Sequence, residues 1–127
     1  MTYRFSLPLL YMLGLFLLSS IPGTEDPENT IQALLLWVSP NFQNLLHIPI
    51  FAGLAYSWYW AFSVTKKTHK SSIVLAILLS LGYALFDETY QISVPGRYGS
   101  LTDFLLDSIG IGLVTLISKR TISTEQT

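Results

Sequence analysis

Four apolar stretches, over about residues 5–21, 45–64, 72–91 and 101–118, occupy more than half of this 127-residue chain. Crossing the hydrocarbon of a bilayer takes roughly 20 helical residues at about 1.5 Å each. The third stretch reaches that length only as a helix that continues past Phe86 through Asp87, Glu88 and Gln91. With 50% of its residues hydrophobic and 12% charged, the chain is too apolar for a small water-soluble domain. The expected fold is all-α: a single domain over residues 1–127, forming a polytopic membrane bundle of four transmembrane helices. There is no cysteine, which excludes disulfides, thiolate metal sites and a cysteine nucleophile. No internal repeat or low-complexity tract divides the chain.

Charge gives the bundle an orientation. Arg4, Lys66, Lys67, Lys70, Lys119 and Arg120 lie before the first stretch, between the second and third, and after the fourth. Those positions share one side of an alternating bundle. Cytoplasmic loops carry the Lys/Arg excess, so both termini are assigned to the cytoplasm. Glu25, Asp26, Glu28, Asp87, Glu88, Asp103 and Asp107 fall on or near the outer side, and only Glu125 is inside. Arg97 is the one basic residue outside, and a local partner is expected for it. The first stretch follows Arg4 and ends in Ser19 and Ser20, features shared with secretory signals. Its apolar run is long for one and no A-x-A site follows, so it is read as a retained span.

The outer loop, residues 22–44, opens with Pro22-Gly23-Thr24-Glu25-Asp26-Pro27-Glu28, which must lie in water. The apolar segment Ile31 to Val38, with Trp37, is too short to span and is expected to form a short interfacial helix, a lid or a plain connector. Pro49 is expected in the first turn of the second helix, where a missing N–H does least harm. Trp58 and Trp60 are read as anchors at the inner interface.

The outer ends of the third and fourth stretches concentrate the chemistry. An ionisable group within a membrane segment costs several kcal/mol unless it is paired, wetted or bound, and so marks a candidate site. Asp87, Glu88 and Gln91 share one side of a helix, as do Asp103, Asp107 and Gly110. Gly112 falls off that stripe and is expected to admit another helix. The Pro95-Gly96 turn brings the two stripes together, with His47 at a similar depth. His47, Asp87, Glu88, Gln91, Arg97, Ser100, Asp103 and Asp107 are therefore the candidate ligand-binding residues, arranged as one outward-facing ring. Glu88, Asp103 and Asp107 are the candidate ligands for a hard cation, Mg or Ca. Acid and base roles for the same three carboxylates are the alternative to cation binding, and no nucleophile is evident, since Ser100 lacks a base partner.

The same residues resemble the VanZ-like family of small bacterial integral membrane proteins. The resemblance rests on Asp87-Glu88-Thr89-Tyr90-Gln91, on Pro95-Gly96-Arg97 with Ser100 and Asp103, and on Gly110 and Gly112. His47-Ile48-Pro49-Ile50-Phe51-Ala52-Gly53-Leu54 and Ser19-Ser20-Ile21-Pro22 support it. It implies a four-helix membrane bundle linked with the cell envelope, whose founding member is associated with low-level teicoplanin resistance. It supplies no reaction. Where the family commonly reads Asp-Lys-x-x-His, this chain has Gln43-Asn44-Leu45-Leu46-His47. Where the family commonly has Asn, it has Asp107, which makes the pocket more acidic.

Three functions stay open on this reading. The first is an outward-facing site in the bacterial cytoplasmic membrane for an anionic lipid, glycan or glycopeptide-related ligand, with Arg97 taking the anion. The second is a structural or partner-binding bundle in which Arg97 pairs with Asp103 or Glu88, alone or as an oligomer. The third is a small proton-linked transporter, although no charged residue lies deep in the inner half of any span. The bilayer is the one partner expected throughout, and no nucleic-acid binding is expected.

Overall fold

The computed structural model describes residues 3–23, 30, 31, 33, 40–65 and 68–118. Among these there are four long helices and no strand: α1 (Tyr3–Ser19), α2 (Pro40–Phe62), α3 (His69–Gln91) and α4 (Leu101–Gly112). After a one-residue turn at Leu113, residues 114–118 continue α4 as helix. Two of the helices, His69–Gln91 and Leu101–Ser118, are long and apolar enough to cross a membrane. Residues 30, 31 and 33 are helical, and the rest of the expected interfacial helix lies outside the described residues.

The helix boundaries have local causes. Thr68 caps α3, its side chain accepting a hydrogen bond from the Ser71 N–H at 3.2 Å. Ser100 caps α4 by accepting from the N–H groups of Thr102 and Asp103 at 3.2 and 3.4 Å. Such caps satisfy N–H groups that have no partner within the helix. Asp103 in the first turn of α4 adds a negative charge where the helix dipole favours one. α3 does run through Asp87 and Glu88 to Gln91, as its length required. Pro49 does not start α2. The helix begins nine residues earlier, at Pro40, and that proline holds the terminal position that suits its missing N–H. Pro49 is an interior residue, where it leaves the carbonyl four residues back without its usual donor.

Successive helices are antiparallel. At one end Arg4 lies over the Trp60 ring, 4.5 Å from its centroid, and the Tyr59 hydroxyl is 3.3 Å from His69 Nδ1. At the other, Ser20 Oγ is 3.1 Å from the Tyr90 hydroxyl and the Gly23 N–H donates to the Pro95 carbonyl at 3.0 Å. α2 is central, touching all three other helices, and its contact with α4 is the most extensive in the bundle. α1 and α4 are not in contact.

Phe51, Leu54, Ala55, Trp58 and Tyr59 recur at helical spacing along the buried face of α2. They meet Ala76, Tyr83 and Ala84 of α3 and Ile111 and Val114 of α4. Trp58, expected as an interfacial anchor, is instead a core residue, edge-on to Phe5 and stacked on Phe62. The outer surface is apolar, with Leu10, Leu17, Leu78, Leu85, Leu105 and Leu116 all exposed. A soluble monomer rarely shows so much contiguous apolar surface, whereas hydrocarbon accepts it.

The turn between α3 and α4 is locked to the end of α1. Gly96 has φ +70°, a left-handed conformation that costs a side-chain-bearing residue about 1 kcal/mol or more. A Cβ at Gly96 would also collide with the Gly23 carbonyl, and one at Gly23 with the Gly96 carbonyl. Gly96→Ala is therefore expected to destabilise the protein by about 2 kcal/mol in thermal unfolding followed by circular dichroism in detergent. Gly82→Ala, where a Cβ meets nothing within 4 Å, is expected to be neutral or mildly stabilising.

Candidate functional site

The polar residues gather at the end of the bundle that holds the Pro95-Gly96 turn. Asp87, Glu88, Gln91 and Asp107 are 3%, 6%, 8% and 0% exposed, so each lies inside the bundle and none faces lipid. The α3 spacing works as a hydrogen bond: Gln91 Nε2 donates to Asp87 Oδ2 at 3.0 Å, one turn back, and reaches Ser19 Oγ on α1 at 3.4 Å. Glu88, on the neighbouring face of α3, accepts from the Ser100 N–H at 2.7 Å. Asp107 points from α4 to α2, where its Oδ1 lies 2.7 Å from His47 Nδ1. Gly110, one turn further along α4, makes this approach possible, because a Cβ there would strike the Ile48 carbonyl. Among the described residues nothing lies within 4 Å of where a Cβ at Gly112 would sit, so of the pair only Gly110 packs against another described helix.

The expected single ring is in fact two half-sites that share His47. On the α1 side, a cavity of about 150 Å³ is walled by Leu15, Leu18, Leu46, Ile50 and Phe51, with Ser19, Gln43, His47, Asp87, Gln91 and Arg97 as its polar lining. On the α4 side, His47, Glu88 and Asp107 each offer one ligand-capable atom within 4.8 Å of the other two, and Asp103 lies within electrostatic range of all three. Glu88, Ser100, Asp103 and Asp107 do not line the cavity. Asp87 Oδ1, Glu88 Oε1, Asp103 Oδ1 and Asp107 Oδ2 are buried without a hydrogen-bond partner among the described residues. Four orphaned carboxylate oxygens in so small a volume are unusual, since buried polar atoms are nearly always satisfied.

The VanZ/LLP1 family model matches residues 5–122. The chain belongs to the VanZ/LLP1 family. No curated protein and no solved structure matches it significantly. In this VanZ/LLP1 protein, family membership and the two long apolar helices together point to a membrane protein of the envelope type.

Arg97 departs from expectation. Its Nε donates to the Ile21 carbonyl at 3.0 Å and its Nη2 to the Leu18 carbonyl at 3.4 Å, and it pairs with no acid among the described residues. The Leu18 carbonyl, which also accepts from the Ile21 N–H at 3.2 Å, and the Ile21 carbonyl just beyond α1 lie at the negative end of the helix dipole, so they hold the guanidinium in place of a carboxylate. Ser100 has a structural position, its side chain capping α4 while its N–H donates to Glu88. Sequence reading missed Ser19 and the apolar cavity walls. Ser19 was visible as the serine closing the first apolar stretch, whereas the walls carry no signal that separates them from other core leucines.

Proposed function

We propose that this VanZ/LLP1 protein spans the bacterial cytoplasmic membrane four times, with both termini in the cytoplasm, and binds an anionic envelope lipid in its outward-facing cavity. The orientation is supported by Arg4 and Lys70 lying at the end of the bundle opposite the acids. The observation that carries the binding reading is the cavity itself: apolar walls, an arginine at the edge and a polar floor of His47, Asp87 and Gln91. Such a mixture suits an amphiphile. A cavity of this size holds about one benzene-sized group, so it favours insertion of one part of a lipid over enclosure of a whole glycan or glycopeptide. Arg97, already anchored to α1, presents its remaining donors to a phosphate or carboxylate. Asp87 Oδ1, unpartnered among the described residues, takes a hydroxyl or amine donor from the same headgroup.

Lipid analysis of the purified protein tests this reading. Arg97→Ala and the cavity-filling Ile50→Trp are each expected to lower co-purified anionic lipid at least about 10-fold, a loss of about 1.4 kcal/mol in binding. Arg97→Lys keeps the charge and is expected to retain part of it. Ile50→Trp leaves the Arg97 contacts with α1 untouched, so it separates lost binding from a loosened α1. Native lipid content in both Arg97→Ala and Ile50→Trp would sink the proposal.

A further inference from the structure

We propose that His47, Glu88 and Asp107 form a binding site for a first-row divalent metal ion of the manganese or zinc kind. The site lies between α2, α3 and α4, shares His47 with the lipid cavity, and does not rest on the lipid reading. Its three residues come from three helices, and one ligand-capable atom of each lies within 4.8 Å of the others. Donor atoms around a metal at about 2.1 Å stand roughly 3 to 3.5 Å apart, so a modest side-chain adjustment closes the set on an ion.

A second observation points the same way. Glu88 and Asp107 are more than nine-tenths buried, and each keeps one oxygen, Oε1 and Oδ2, without a partner among the described residues. Each of the two is tethered through its other oxygen, Glu88 by the Ser100 N–H and Asp107 by His47. The tethers fix the carboxylates while leaving a lone-pair-bearing atom unused on each. Asp103 adds a further carboxylate nearby with a buried, unpartnered Oδ1. A buried carboxyl is stabilised by protonation, by an ion-pair partner or by a metal ion, and Arg97 is not that partner here, being held at the end of α1.

The donor set selects the class of ion. Glu88, Asp103 and Asp107 alone would be an all-oxygen site suited to Mg or Ca, whereas the structure places the His47 imidazole among the donors. One nitrogen with carboxylate oxygens favours manganese or zinc over the harder ions.

Full-length protein in detergent, stripped with chelator and dialysed against Mn²⁺ or Zn²⁺, is expected to retain one ion per chain by elemental mass spectrometry. Glu88→Gln and Asp107→Asn are expected to bind at least about 10-fold more weakly. Pulsed EPR of the Mn²⁺-loaded native protein is expected to show coupling to one imidazole nitrogen, lost in His47→Gln, and this readout does not depend on the carboxylate variants folding. The proposal is overturned if the native protein retains no ion, if Mn²⁺ shows no nitrogen coupling, or if both carboxylate variants bind as the native protein does. Preference for Mg²⁺ or Ca²⁺ over Mn²⁺ and Zn²⁺ would overturn the assignment of the ion.

Discussion

Asp107→Ala is expected to destabilise the protein by about 2–4 kcal/mol, while Asp107→Asn is expected to change its stability by about 1 kcal/mol or less. Asp107 is fully buried and its only described partner is His47, 23% exposed, at 2.7 Å. Truncation to alanine strands the Nδ1 of a largely buried imidazole and opens a hole where α4 meets α2. The loss is set below that for breaking a wholly buried pair because His47 retains some access to polar surroundings. Asparagine keeps an oxygen that accepts from the ring N–H, and it removes a negative charge from beside Glu88 and Asp103. Those two effects oppose each other, which is why the amide variant is expected near neutrality. It is also the residue common at this position in the family resemblance. Thermal unfolding in detergent with the metal chelated isolates the pair from any bound ion. An equal loss in both variants would assign the contribution of Asp107 to its charge and not to the hydrogen bond.

Gly110→Ala is expected to cost about 2–3 kcal/mol, and Gly110→Val to prevent accumulation of folded protein in the membrane fraction. The obstacle is backbone: a Cβ at position 110 falls on the carbonyl of Ile48, which no side-chain rotamer can move aside. α4 would have to withdraw from α2 along the most extensive contact in the bundle. Asp107 lies one turn from Gly110, so withdrawal also stretches its bond to His47 and separates the three residues of the acidic half-site. Small residues at such positions let membrane helices approach closely and pack by van der Waals contact. Gly112→Ala is the matched comparison. With nothing within 4 Å of the added Cβ, it is expected to be neutral or to stabilise by up to about 1 kcal/mol, the ordinary gain of alanine over glycine in a helix. A loss in Gly112→Ala as large as that in Gly110→Ala would mean that general helix flexibility, not the Ile48 contact, explains the effect.

Much of this was legible in the residues. The continuation of α3 to Gln91 followed from the length a span needs, and the shared face of Asp87 and Gln91 followed from their four-residue spacing. The stripe of Asp103, Asp107 and Gly110 was likewise visible, because helical periodicity is local and puts those residues on one face whatever surrounds them. The start of α2 was less so: Asn41, Gln43 and Asn44 end the apolar run at Leu45, so hydropathy gives no sign that the helix reaches back to Pro40.

What periodicity does not carry is the rotation of each helix about its axis relative to its neighbours. That is settled by packing, in which Gly110 seats against Ile48, Trp58 turns into the core, and Ser19 meets Gln91. The polar residues expected around one pocket are therefore divided, since α3 directs Asp87 and Gln91 toward α1 but Glu88 toward the start of α4. Arg97 shows the same limit. Its position on the outer side made a partner necessary, and Asp103 and Glu88 were the evident candidates. The carbonyls that took it belong to every helix end and have no signature in residue type. Residue order was enough for the helices, their polar faces and the family. The pairing of those faces depended on contacts between residues as far apart as Ile21 and Arg97, which exist only once side-chain packing has fixed how the helices turn toward one another.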